Sequence, residues 1–222
     1  MSGTVTSEAS PGTTFLEVTP YLDWDQPAVR QFTAEAVGGA SDPVEKAARV
    51  FAAVRDRIWY DPYLIPATHA DFRASVVATT TRAYCVPKAV LLTAAARASG
   101  IPARLGFADV RNHLQTDTLR EKMRGSDLFP WHGYTEMLID GRWVKATPAF
   151  NAGLCARFGV EPLEFDGVHD ALLHPFSGDG SEYMEYVQDH GWFADLPLER
   201  ILASYAGFRS DDADAVVDDQ FA

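Results

Sequence analysis

The sequence predicts an α+β fold in which helices pack on a small antiparallel sheet. Two stretches carry this prediction: an apolar pattern at helical spacing from Cys85 to about Ser99, and two β-type runs that meet at Asp140-Gly141. Apolar residues that recur every three to four positions predict a buried helix, and Asp-Gly between β-type runs is a strong hairpin signal. We therefore expect a buried helix and a hairpin at the centre of one domain.

Length and composition fit a single globular domain. The chain has 222 residues, of which 47% are hydrophobic and 23% are charged, and a chain of this size can bury about 70% of the surface its unfolded form exposes. We assign residues 1–209 to one domain and residues 210–222 to an acidic tail that is expected to be disordered.

Net charge and sequence signals limit the classes of binding partner and the cellular compartment that we expect. The formal net charge is −12, which repels phosphate backbones and anionic membranes, so neither nucleic-acid nor membrane binding is expected. The N-terminus lacks signal-peptide features, and no run reaches the roughly 20 apolar residues of a membrane span. We expect a cytoplasmic protein in which Cys85 and Cys155 stay reduced. No residue cluster has metal-ligand spacing, so no metal or other cofactor is expected.

Upstream of Cys85 the sequence predicts two helices and a long irregular segment. Pro27 opens a helix that runs to about Val37, and Ser41-Asp42-Pro43 supplies an N-cap and a first-turn proline for the next helix. The stretch between Tyr60 and Ala83 is rich in turn residues. Long irregular segments of this kind are often functional, so we expect it to form one wall of a cleft.

Downstream of the cysteine helix, β-type and helical segments follow one another. Leu105 to Val110 is predicted as a strand, and the polar run from Gln115 to Gly125 has helical signals with a weak apolar face, which suits a flap over the cleft. Beyond the hairpin, Tyr183 to Asp189 is predicted as a short strand or helix, and Leu198 to Phe208 as an amphipathic helix.

Cys85 is the first candidate for chemistry because it lies at the predicted start of the buried helix. Pro87 is tolerated in a first turn and Gly100 suits a left-handed C-terminal cap. Unpaired N–H groups and the positive end of the helix dipole favour a thiolate there and can donate to a developing oxyanion. The alternative is a buried structural cysteine, which is the usual role of a free cysteine. A nearby base would decide between the two.

The candidate base is His132, at the start of the first hairpin strand. With Asp140-Gly141 as the central turn residues, counting outward places Ala149 opposite His132. Thr147 and Asn151 then share a face with His132, each displaced by two residues and within side-chain reach. The alternative is an ordinary polar histidine on a strand.

Three ordered segments resemble the transglutaminase-like superfamily of papain-fold cysteine enzymes. They are Val54 to Pro62, the cysteine helix closing in Gly100 to Arg104, and His132 to Glu136 followed by Trp143-Val144 and Pro148. The resemblance covers about residues 45–150 and is to a single-domain, bacterial-type member. It implies a papain-like, transglutaminase-core fold in which Cys85 is the nucleophile and His132 its base.

The chain departs from the family at the third site residue. In the family an aspartate just before a proline orients the histidine, and here Thr147 precedes Pro148. A carboxylate stabilises the imidazolium ion, whereas a threonine hydroxyl can only accept a hydrogen bond from the ring. Three alternatives stay open: Thr147 completes a triad, Asn151 takes the orienting role, or Cys85 and His132 work as a dyad.

The resemblance implies cysteine-dependent acyl-group chemistry through a covalent thioester acyl-enzyme. We expect hydrolysis of an amide, peptide or related carbonyl in a small-molecule, peptide or protein substrate. An amine acyl transferase and a catalytically degenerate binding module of the same fold are the alternatives. The sequence leaves open the substrate, the acceptor and the oligomeric state.

Overall fold

The first helices begin where the sequence supplies prolines and capping side chains. The structure, a computed structural model, describes residues 15–113, 115–172, 184–205 and 221. Helix α1 (Pro27–Val37) opens on a proline, and α2 (Pro43–Arg57) is capped by the Asp42 carboxylate, which accepts from the backbone N–H of Glu45. The other helical elements of the described residues are a 3₁₀ helix (His69–Phe72), α3 (Ala74–Val77), α4 (Cys85–Ala98), α5 (Asp117–Lys122), α6 (Ala152–Phe158) and α7 (Leu198–Tyr205).

A four-stranded antiparallel sheet lies against the helices. In sequence order its strands are β3 (Ala103–Asn112), β4 (Leu128–Ile139), β5 (Arg142–Ala146) and β6 (Met184–Phe193), and in space they run β5-β4-β3-β6. Two short strands, β1 (Trp59–Tyr60) and β2 (Arg82–Ala83), pair in parallel as a separate sheet. The register predicted for the hairpin is confirmed over β5, since the paired positions run from Ile139–Arg142 to Thr135–Ala146.

Helix α4 is the centre of the core. Its residues from Cys85 to Arg97 are all buried, and it packs against β3 and β4 with α1, α2 and α3 around its other sides. A helix enclosed on every side needs partners for its polar groups. The Arg97 guanidinium donates to the carbonyls of Glu17, Ala103 and Ala194.

The α+β prediction is confirmed, and the ambiguous segment after residue 183 is a strand, β6. The division into a domain of residues 1–209 and an acidic tail of residues 210–222 stays a prediction, because apart from Phe221 the tail lies outside the described residues. Within the described ranges, no helix is both long enough and apolar enough to cross a membrane.

Candidate functional site

Cys85 is the first residue of α4, and the N-cap residue before it, Tyr84, makes no side-chain capping bond. Burial is the largest influence on the thiol and raises the pKa of Cys85 to about 11. The backbone N–H groups of Gly133, Val86 and Cys85 itself act in the opposite direction and lower that pKa. Burial therefore opposes the effect of the helix N-terminus, which is expected to favour a thiolate.

Gly133 allows strand β4 to approach the first turn of α4 closely. A Cβ atom on Gly133 would lie 3.2 Å from Val86 Cα and 3.2 Å from Ala89 Cβ. Two residues along the strand, the Thr135 hydroxyl hydrogen-bonds the Ala89 carbonyl at 3.1 Å. The strand that carries the candidate base is thus held directly against the start of α4.

His132 is buried beside Gly133, with 3% of its surface exposed. Burial lowers the pKa of the imidazole to about 4. Its Nε2 atom is buried and has no hydrogen-bond partner among the described residues. The ring is therefore neutral at physiological pH, and a neutral ring can accept a proton.

A clamp of Asp109, Trp131 and His190 holds the backbone just before His132. Trp131 has a φ of 55°, which is strained for a bulky side chain. The Asp109 carboxylate accepts from the Trp131 N–H at 3.0 Å and contacts His190 Nε2 at 2.6 Å. The His190 ring stacks on the indole with a centroid separation of 4.3 Å. The sequence analysis did not find this clamp, because its members come from three strands.

Neither predicted orienting residue is hydrogen-bonded to His132. The β5 ladder ends at Ala146, and the Thr147 N–H instead donates to the carbonyl of Ala171 at 2.9 Å. The expectation that Thr147 lies within the paired strand is therefore wrong. Its Oγ1 is buried and has no partner in the described part of the chain, and Asn151 Oδ1 accepts from the Tyr60 N–H at 3.2 Å.

Cys85 and His132 line one cavity of about 580 Å³. Thr147 and Asn151 are not among the residues that line it. The stretch between Tyr60 and Ala83, predicted to form a cleft wall, supplies several lining residues, and the predicted flap contributes Leu119, Lys122 and Met123. Sequence reasoning missed three apolar lining residues that come from distant parts of the chain: Phe150, Met184 and Phe221.

Lys88 is a buried cation one turn after Cys85. Its ammonium donates to the carbonyls of Arg55 at 2.9 Å and Ile58 at 2.6 Å, at the C-terminal end of α2. Burial lowers the pKa of Lys88 to about 7. No local sequence pattern marks Lys88, which ties α4 to α2. In the described ranges, no group of three or more His, Cys, Asp or Glu side chains is arranged to hold a metal ion.

A family model and several solved structures match this chain. A family model described as the transglutaminase-like superfamily matches residues 30–148, and no curated protein matches the chain. A candidate cysteine protease from Cytophaga hutchinsonii is 17% identical with a TM-score of 0.50, over 93% of this chain and 52% of that one. A candidate protease from Parabacteroides distasonis is 16% identical with a TM-score of 0.37, over 57% of this chain and 25% of that one.

The chain spans about half the length of the Cytophaga protein, and that likeness concerns the fold. The family model covers just over half of the chain and includes both Cys85 and His132. The papain-like, transglutaminase-core fold that the resemblance implied is therefore confirmed. The chain belongs to the transglutaminase-like superfamily.

Proposed function

We propose that this protein is a cysteine-dependent acyl hydrolase. The observation that carries the proposal is that Cys85, at the N-terminus of a buried helix, and His132, a buried neutral imidazole, line the same cavity. A thiol nucleophile beside a base is the combination that covalent acyl transfer requires. The uncapped backbone N–H groups at the start of α4 supply donors for the oxyanion that forms during attack.

The reaction proceeds in two balanced steps. In the first, the Cys85 sulfur bonds to the carbonyl carbon while its proton passes to the imidazole of His132. The leaving group then departs with that proton, and a thioester remains. In the second, water attacks the thioester carbon and gives a proton to His132, which returns it to the departing sulfur.

The pKa values of the pair decide when the first proton moves. Because the pKa of the Cys85 thiol is about 11 and that of the His132 imidazole is about 4, a thiolate–imidazolium ion pair is not the resting state of the site. Proton transfer therefore accompanies formation of the sulfur–carbon bond. Because only the neutral imidazole can act as the base, activity should persist below the ordinary histidine pKa of about 6.5.

Two observations favour a second candidate, a binding module of the same fold. No hydrogen bond joins Cys85 to His132 within the described residues, and Thr147 stands where the family has an aspartate. A pair without an orienting group can be retained for ligand binding alone. The two candidates differ in whether Cys85 becomes acylated.

The experiment follows acetyl transfer from p-nitrophenyl acetate by intact-protein mass spectrometry. We expect one acetyl group on Cys85 and catalytic release of p-nitrophenol, with both lost in Cys85→Ala. His132→Gln should slow acylation by about 100-fold or more. Cys155→Ala is the matched control, because Cys155 is also buried but does not line the cavity. Equal acylation of Cys85→Ala and the parent protein would reject the enzyme and leave the binding module.

The acceptor is determined by adding methylamine to the same reaction. Acetate as the product at all methylamine concentrations supports hydrolysis. Formation of N-methylacetamide, with faster turnover as methylamine rises, would instead make the protein an amine acyl transferase.

A further inference from the structure

We infer that the acyl group accepted by Cys85 is an uncharged apolar chain, held in the cavity beside the thiol. This inference names the substrate class for the proposed function and rests on it. Two features of the cavity support it: its mainly apolar walls, which include Phe221, and the contacts of its charged residues.

The walls of the cavity are mainly aromatic and aliphatic. Its volume of about 580 Å³ lies in the range of small-molecule sites. The cysteine occupies one part of the lining, and the apolar side chains around it come from the cleft wall, the flap region, β3, β4 and β6. They include Tyr63, Leu119, Met123, Val110, Phe129 and Met184. Each methylene of a chain buried there improves binding roughly fourfold.

The charged side chains of the lining already have contacts within the protein. The Asp71 carboxylate accepts from the Thr68 N–H at 2.9 Å and from its hydroxyl at 2.8 Å. Arg82 pairs with Asp61 at 3.3 Å.

Lys122, the remaining cation of the lining, lies over the Tyr63 ring at 5.6 Å. A charged substrate group would lose hydration against the mainly apolar walls of the cavity. An uncharged chain loses little hydration, so the cavity favours it.

Phe221 is a further aromatic part of the cavity wall. Its ring centroid lies 6.0 Å from that of Tyr60, which also lines the cavity, and 5.3 Å from that of Phe158. Its backbone carbonyl accepts from the Trp59 indole N–H at 2.7 Å, which fixes the residue in place. The Phe221 ring therefore adds to the apolar surface that an acyl chain would contact.

The test compares three p-nitrophenyl esters: the acetate, the hexanoate and the mono-ester of glutaric acid. Acylation of Cys85 is measured by mass spectrometry, with the rate in Cys85→Ala subtracted. We expect the hexanoate to acylate at least about tenfold faster than the acetate, and the anionic glutarate to be slower than the hexanoate. Acetate or glutarate reacting as fast as hexanoate would overturn the inference while leaving the hydrolase in place.

Two variants connect the preference to the cavity. Met123→Trp fills part of the space, so the hexanoate-to-acetate ratio should fall at least about threefold. Val187→Trp is the matched control, because Val187 is 47% exposed on β6 and does not line the cavity; its ratio should equal that of the parent protein. Equal ratios in both variants would overturn the inference.

A binding measurement separates the inference from the chemistry. Hexanamide and acetamide, which need no acylation, are titrated into Cys85→Ala and followed by NMR shifts of cavity resonances. Tighter binding of hexanamide by at least about tenfold supports the apolar site even if no ester acylates Cys85, in which case the proposed function alone fails. Equal binding of the two amides overturns the inference.

Discussion

Replacing Thr147 by aspartate tests the missing orienting group most directly. Thr147 is buried, with 2% of its surface exposed, and its hydroxyl has no partner among the described residues. Burial lowers the pKa of His132 from 6.5 to about 4, so the protein makes protonation of this ring less favourable by about 3 kcal/mol. A carboxylate within about 6 Å of a histidine ring raises the pKa of that ring by about 1 to 3. Thr147→Asp should therefore raise the pKa of His132 to between about 5 and 7.

The assay is an NMR titration of the histidine ring protons, with the His132 signal identified by its loss in His132→Gln. Thr147→Asn is the matched control, because asparagine has the shape of aspartate without its charge. A more basic imidazole should also speed acylation of Cys85 at pH 7. If the aspartate and asparagine variants give the same His132 pKa within about 0.3, position 147 is too far from the ring to orient it.

The lowered pKa of His132 also makes the folded protein less stable in acid. Between pH 6.5 and about 4 the unfolded chain binds a proton at His132 that the folded protein does not. The free energy of unfolding therefore falls as the pH drops through this range, by about 3 kcal/mol in all. In Thr147→Asp the His132 contribution to this fall should be smaller. Urea denaturation at pH 4 and pH 7 measures the difference between the aspartate and asparagine variants.

Three further predictions concern the nucleophile helix. Unfolded Lys88 keeps its proton up to about pH 10.5, while the folded residue loses it near pH 7. The free energy of unfolding of the parent protein, relative to that of Lys88→Met, should therefore rise between these pH values by up to about 1.4 kcal/mol per pH unit. A difference between the two proteins that urea denaturation finds to be independent of pH would contradict this prediction. Gly133→Ala should lower the free energy of unfolding by about 1 to 3 kcal/mol and slow acylation, whereas Gly39→Ala, where nothing lies within 4 Å of the added atom, should be near neutral in the same denaturation experiment. The rate at which iodoacetamide modifies Cys85, measured against pH, should have its midpoint above the ordinary thiol pKa of about 8.5. Cys85 should also react faster than Cys155, because of the two cysteines only Cys85 lines the cavity. Peptide mapping that finds a midpoint below about 8.5 for Cys85 would show an activated thiolate.

Local patterns were enough to predict the main elements of the fold. The bounds of α4 follow from its apolar spacing and from Gly100, and the hairpin register follows from Asp140 and Gly141, whose positive φ values of 49° and 77° suit the tight turn. The candidate pair of Cys85 and His132 came from the helix start, the hairpin and a family resemblance. Each of these signals lies in a short stretch of chain, so it can be read without knowing what packs against it.

Contacts between distant segments decided the rest of the site. After Ala146 the chain leaves β4 and bonds to Ala171, which hairpin counting could not foresee because that count assumes a continuing ladder. Phe221, assigned from composition to a disordered tail, lines the cavity, where apolar residues from several elements meet.

The protonation states also depended on the tertiary structure. From sequence alone, the helix N-terminus favours a thiolate at Cys85. Burial opposes that expectation and lowers the pKa of His132, because removing either group from water disfavours its charged form. The sequence thus determined which two residues form the candidate pair. Only the tertiary structure determined that both are buried and line one cavity, since desolvation depends on every element packed around them.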